Sequence, residues 1–138
     1  MRSSEELKRQ IRQNAQEIAR LHARIRETYA LRATHGNKPW EDACREMHAR
    51  YDSLVFPGGY DDDLLKRLAS GERNTVEAAL CFLEVRPYFF RSGYLWKDLL
   101  RMAKRAPMNA QHAARLAAIV QGYADYRARR RALRPPQS

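Results

Sequence analysis

The apolar residues in the first thirty positions recur at alternating gaps of four and three residues, which fits an α-helix and no other regular structure. They are Leu7, Ile11, Ile18, Leu21 and Ile25. Asn14 and Thr28 occupy the two polar positions of the same seam. This heptad-like spacing predicts a long amphipathic helix within residues 1–35, about 40 Å in length.

The narrow seam of this helix has two interpretations. It is either the core stripe of an ordinary helical bundle or a surface that pairs with another chain. The second interpretation gives the candidate partner-binding residues, which are Ile11, Ile18, Leu21 and Ile25. The partner would be a different protein or a second copy of this chain.

The remaining sequence is also helical in pattern and carries almost no signal for β-strands. Helix breakers divide it into short segments, so we predict an all-α fold of about six helices in one domain over residues 1–134. The long first helix occupies 1–35, a helical core occupies 38–126, and a basic end occupies 127–138.

Two capping signals predict where helices begin. Asn74 followed by Glu77 has the spacing of a capping box, and Asn109 precedes the last helical pattern. The helix that follows Asn109 runs into the arginine-rich end, which we expect to fray.

The formal net charge of +10 is distributed unevenly. Residues 1–37 carry eight basic and four acidic groups, residues 38–91 carry eight and ten, and residues 92–138 carry ten and two. The excess is therefore at the two ends, which favours an anionic partner: nucleic acid, an acidic protein surface or anionic lipid. Candidate phosphate-contacting residues in the last segment are Arg127, Arg129, Arg130, Arg131 and Arg134.

The densest aromatic stretch is EVRPYFFRSGYLWK, residues 84–97. It contains five aromatic residues, Tyr88, Phe89, Phe90, Tyr94 and Trp96, interspersed with basic side chains. Burial of a large aromatic ring stabilises by roughly 1.5–3 kcal/mol, so we predict that most of the five belong to the core or its edge. The alternative is that an exposed Tyr88 or Tyr94 stacks on a nucleobase.

Arg86 and Arg91 lie within this stretch and are candidate anion-binding residues. A helix that begins at Ser92 would direct free N–H groups towards them, and together they could receive a phosphate or carboxylate. An internal carboxylate, from Glu84 or Asp98, is the alternative occupant.

No set of nucleophile, base and orienting group can be assembled from the sequence, so we predict a protein that is not an enzyme and needs no cofactor or metal. The absence of an apolar leader or a long apolar run predicts a cytoplasmic protein without a membrane span.

The leading functional hypothesis is a non-catalytic protein-interaction module of adaptor, regulator or inhibitor type. It would use the first helix and a basic surface. The alternative is a nucleic-acid-binding protein whose terminal arginines contact phosphates.

Overall fold

A computed structural model describes residues 2–135, and in this part of the chain every regular element is an α-helix. The helices are α1 (Ser4–Ala30), α2 (Arg32–His35), α3 (Lys38–Leu54), α4 (Leu64–Ala69), α5 (Arg73–Val85), α6 (Ser92–Ala103) and α7 (Ala110–Ala132). The prediction of an all-α fold is confirmed. The described residues form seven helices rather than six, because a single turn, α2, lies between the first two long helices.

Helices α1 and α3 form an antiparallel pair joined by α2. The rings of Tyr29 and Trp40 meet at one end, with centroids 5.6 Å apart. Further along, Arg50 of α3 donates to Glu17 of α1 at 2.8 Å. Hydrogen bonds from Arg20 and Arg50 lower the pKa of Glu17 to about 2, so this carboxylate stays charged at the interface of the two helices.

The apolar seam of α1 lies inside the molecule. Ile11, Ile18 and Leu21 are at most 3% exposed, because α1 packs against both α3 and α5. Ile25 is partly buried against the same core. This corrects the interpretation of the seam as a surface that binds another chain. A helix face that is buried over about four turns has the same heptad-like pattern as a coiled coil. In this chain the covering helices belong to the same molecule.

Helix α5 is the centre of the core. All nine residues from Thr75 to Leu83 are buried, because α5 packs against α1, α4, α6 and α7. A helix surrounded in this way is apolar around most of its circumference. The helix begins at Arg73, with Glu72 as the residue before it, so the predicted capping box at Asn74 is wrong.

The Glu77 carboxylate, instead of capping α5, joins three helices. It accepts a hydrogen bond from the Ser4 hydroxyl of α1. On α7, the Nε2 atom of His112 lies 3.0 Å from it and Nη1 of Arg115 donates to it at 2.5 Å. Arg115 also donates through Nη2 to Glu84 at 2.6 Å. These contacts hold the first half of α7 against α5 and thereby fix the direction in which the second half extends.

Helix α7 begins as predicted. The Asn109 side chain accepts a hydrogen bond from the backbone N–H of His112 at 2.8 Å. Its second half has few contacts with the body: every residue from 124 to 135 is exposed. The helix nevertheless continues to Ala132, and the expectation that the basic end frays stays a prediction. The last three residues of that predicted end, 136–138, and residue 1 lie outside the described residues.

Among residues 2–135, none of the helices combines the length and the apolar character that crossing a membrane requires.

Candidate functional site

The connection between α5 and α6 is a sharp corner of six residues, 86–91. Two arginines, Arg86 with φ of 50° and Arg91 with φ of 67°, adopt the left-handed backbone conformation at its two ends. This conformation is uncommon for residues other than glycine and costs of order 1–3 kcal/mol. Two hydrogen bonds between Phe89 and Ser92 hold the corner closed, one from the Phe89 N–H to the Ser92 hydroxyl oxygen at 3.1 Å. The other runs from the Ser92 N–H to the Phe89 carbonyl at 2.9 Å.

The corner divides its aromatic residues between the core and the solvent. Phe89 is 7% exposed and packs edge-on against Tyr51 and Phe82, while its neighbours Tyr88 and Phe90 are 94% and 46% exposed. Phe89 thus enters the core, whereas the side chains on either side of it face the solvent.

On α6, Trp96 is buried and its indole N–H donates to the Leu83 carbonyl at 3.1 Å, whereas Tyr94 is 74% exposed. The prediction that most of the five aromatic residues belong to the core or its edge is therefore wrong, since only Phe89 and Trp96 are buried and the other three are exposed. The alternative placement, with Tyr88 and Tyr94 on the surface, is the observed one.

The exposed rings line a groove with a volume of about 1000 Å³. One wall is α1, which contributes Ala19, His22 and Arg26. The corner residues 86–91 form the floor, and the opposite wall comes from the start of α6 and from Tyr126 of α7. His22 stacks on the Phe90 ring with the centroids 5.1 Å apart, which joins the first wall to the floor.

The position of the Phe90 ring is supported from behind. The Tyr51 hydroxyl of α3 donates a hydrogen bond to the Phe90 carbonyl, and the two rings meet at a centroid distance of 6.5 Å. Burial raises the pKa of Tyr51, so its hydroxyl stays protonated and keeps this donor role. The floor of the groove is therefore held in place by the body of the protein.

The groove is strongly electropositive. Its lining includes four cations, Arg26, Arg86, Arg91 and Lys97, and no acidic residue. The two nearby carboxylates are engaged elsewhere: Glu84 pairs with Arg115 and Lys8, and Asp98 pairs with Arg101. An internal carboxylate as the partner of Arg86 and Arg91, one of the two expectations for this corner, is thereby corrected. In the described part of the chain, the ion pairs leave all four groove cations uncompensated.

Aromatic rings hold the Arg86 guanidinium in position. Its central carbon lies 4.7 Å from the ring centroids of both Trp96 and Tyr126, and 5.6 Å from that of Tyr123. Cation–π contacts of this kind favour arginine, whose planar head keeps its N–H groups free at the edge. Arg86 therefore connects the groove to α7 and presents donors that lose little freedom when an anion binds.

The arginines of the basic end separate into two sets. Arg127 lies over the Tyr123 ring at 5.8 Å, and Arg130 over the Tyr126 ring at 6.0 Å, so both continue the cation–aromatic row that starts at Arg86. Arg129 and Arg131 are one position away from Arg130, which places them roughly 100° around the helix from it. Arg134 follows the helix end at Ala132 and is exposed.

Sequence reasoning missed four groove residues, His22, Arg26, Lys97 and Tyr126. Their types carry no signal on their own, since solvated basic and aromatic side chains occur on every helix surface. The two from α1 lie four residues apart, on one face beside the buried seam. These two residues become part of a site only because α1 packs beside the corner, which lies about sixty residues further along the chain.

Within residues 2–135, histidine, cysteine and carboxylate side chains do not gather in groups of three or more that could hold a metal ion. The electropositive groove is therefore the candidate site. Comparison with models of known protein families, with curated proteins and with solved structures finds no match to this chain.

Proposed function

We propose that this chain is a non-catalytic nucleic-acid-binding protein and that the groove between α1, the corner and α6 is its binding surface. The observation that carries the proposal is the lining of that groove: four uncompensated cations and no acidic residue, set among exposed aromatic rings. Phosphates supply the complementary charge, and they account for most of the affinity in such complexes.

The aromatic residues distinguish nucleic acid from other anionic partners. The cations alone would suit an acidic peptide equally well, so the rings that lie between them carry the distinction. Nucleic acid presents phosphates and flat aromatic bases a few ångströms apart, which matches alternating arginine or lysine and tyrosine or phenylalanine side chains. Arg91 beside Phe90, at 5.3 Å from its centroid, is one such pair.

The burial of Ile11, Ile18 and Leu21 removes one of the two surfaces of the protein-interaction hypothesis, the seam of the first helix, and leaves the basic surface. Binding of a protein partner remains a prediction, and it would have to use the basic surface without the seam. The arginines of α7 would extend the nucleic-acid-binding surface, because the contact between Arg86 and Tyr126 connects them to the groove.

The test is the binding of fluorescently labelled DNA and RNA 20-mers, measured by anisotropy over a series of salt concentrations. The variant replaces Arg26, Arg91 and Lys97 with glutamine; Arg86 is left in place because it packs on three rings. We expect weaker binding and a salt slope reduced by about 2–3, since each lost phosphate contact removes roughly 0.7–0.9 of slope.

A matched control replaces Arg45, Arg101 and Lys104 with glutamine, which changes the net charge equally at residues outside the groove. It should bind nearly as the unmodified protein does. Equal losses in both triple variants would mean that the overall charge, not the groove, causes binding. If the unmodified protein binds neither DNA nor RNA, the proposal is wrong.

A further inference from the structure

The exposed rings of the groove have free faces. Tyr88 and Tyr94 are 94% and 74% exposed. Over residues 2–135, the pairs of stacked or edge-on rings include neither of them. The fold thus keeps two tyrosines out of the core and out of contact with other rings. Exposing this much aromatic surface next to four cations is costly unless another flat surface covers it.

A duplex cannot cover these faces. In paired DNA or RNA each base is stacked on its neighbours, and a protein that leaves the duplex undistorted reaches only base edges from the grooves. Side chains that stack on bases belong to proteins that bind unpaired nucleotides, in loops or in single strands.

We infer that the ligand of the groove is a single-stranded nucleic acid, whose unpaired bases stack on Tyr88 and Tyr94; this inference rests on the proposed function. The phosphates pass Lys97 and Arg91 and then Arg86. Because Arg86 contacts Tyr126, the strand continues from there along the face of α7 that carries Arg127 and Arg130. The groove and this helix face form one continuous row of cations and rings.

The experiment compares the binding of a labelled 12-nucleotide oligothymidylate, an oligouridylate of equal length and a 12-base-pair duplex. The full chain is used, with two variants: one carries Tyr88→Ala and Tyr94→Ala, the other Tyr88→Phe and Tyr94→Phe. Circular dichroism checks that both variants keep the helical fold, which the exposure of these side chains leads us to expect.

We expect the single strands to bind at least tenfold more tightly than the duplex. The double alanine variant should lose single-strand affinity by at least about 30-fold, the lower end of what two base-stacking rings contribute. Its salt slope should be unchanged, because no phosphate contact is removed. The double phenylalanine variant should bind as the unmodified protein does, since stacking needs the ring and not the hydroxyl.

The outcomes separate this inference from the proposed function. If the duplex binds as tightly as the single strands, or the alanine variant keeps its affinity, the inference is overturned. The proposed function still stands in that case, provided that the glutamine variant at Arg26, Arg91 and Lys97 binds weakly. If none of the three oligonucleotides binds, the proposed function itself fails.

Discussion

The contacts of Glu77 allow us to predict how much its replacement lowers the free energy of unfolding. Glu77 and Glu84 lie seven residues apart on α5, and both accept hydrogen bonds from Arg115. They differ in burial, because the Glu77 side chain is 12% exposed and the Glu84 side chain 27%. Glu77 also has two further partners, Ser4 and His112. Replacing each carboxylate by its isosteric amide therefore compares a buried and a more exposed site of one ion network.

We expect Glu77→Gln to lower the free energy of unfolding by about 2–4 kcal/mol. A hydrogen bond to a charged group contributes about 1.5–3 kcal/mol, and removing one partner of a buried pair costs about 3–5 kcal/mol. The loss is reduced because Arg115 keeps Glu84. Glu84→Gln should cost only about 0.5–1 kcal/mol, the usual range for exposed pairs. Urea denaturation followed by circular dichroism measures both variants.

The lowered pKa of Glu77 leads to a prediction about how stability depends on pH. Burial raises the pKa of Glu77, but hydrogen bonds from Ser4 and Arg115 outweigh it, and the net pKa lies below the ordinary 4.5. Because the folded-state pKa is depressed, the unfolded chain binds the proton more readily. The stabilisation is therefore fully present above the unfolded pKa and is lost as pH falls through the lowered folded pKa.

The stability difference between the unmodified protein and Glu77→Gln should consequently be largest near pH 7 and shrink below about pH 4. Two results would refute this reasoning. One is a cost of Glu84→Gln at pH 7 equal to that of Glu77→Gln. The other is a Glu77→Gln difference that does not change between pH 7 and pH 3.

Two further pairs of variants test the corner and a tight turn. Phe89→Ala should destabilise by about 3–5 kcal/mol and Phe90→Ala by only about 1 kcal/mol in urea, because the first ring is in the core and the second is about half exposed. Phe90→Ala should instead weaken oligonucleotide binding, and equal stability losses at both positions would contradict this division. Gly71→Ala should cost more in melting temperature than Gly58→Ala, although the two glycines have nearly equal φ values of 82° and 84°. An added Cβ at Gly71 meets the Pro107 carbonyl oxygen at 2.5 Å, and at Gly58 it meets nothing within 4 Å. Similar melting temperatures would show that the chain relaxes around Gly71.

Much of the fold could be predicted from local patterns. The spacing of apolar residues in α1, the cap at Asn109 and the prolines between helices depend on interactions within a few residues, so the sequence displays them directly. The role of Glu77 could not be found in this way. Its spacing from Asn74 fits a capping box, yet the carboxylate bonds to residues 73 positions earlier and 35 and 38 positions later. Glu77 therefore makes hydrogen bonds to residues distant in sequence instead of the local capping interaction that its spacing suggests.

The candidate site was only partly visible for a similar reason. Arg86 and Arg91 were identifiable as cations next to aromatic residues, but the sequence does not reveal which ring enters the core. That choice depends on the two left-handed backbone positions and on the space beside Tyr51 and Phe82. An argument from burial energy alone favours the core for every ring. The geometry of a six-residue corner allows it for only one of the three adjacent rings.

Helix α5, which covers one side of α1, lies far from α1 in the sequence, and this separation has a consequence during synthesis. Ser4 and Glu77 are separated by 73 positions. At about 5–20 residues per second, roughly 4–15 s pass between the emergence of the two. During this interval α3 can cover one side of α1, while the side that will meet α5 stays open to solvent. A heptad-like stripe exposed in that form can pair with the same stripe on a neighbouring nascent chain. The yield of correctly folded protein should therefore depend on the spacing of ribosomes along the message.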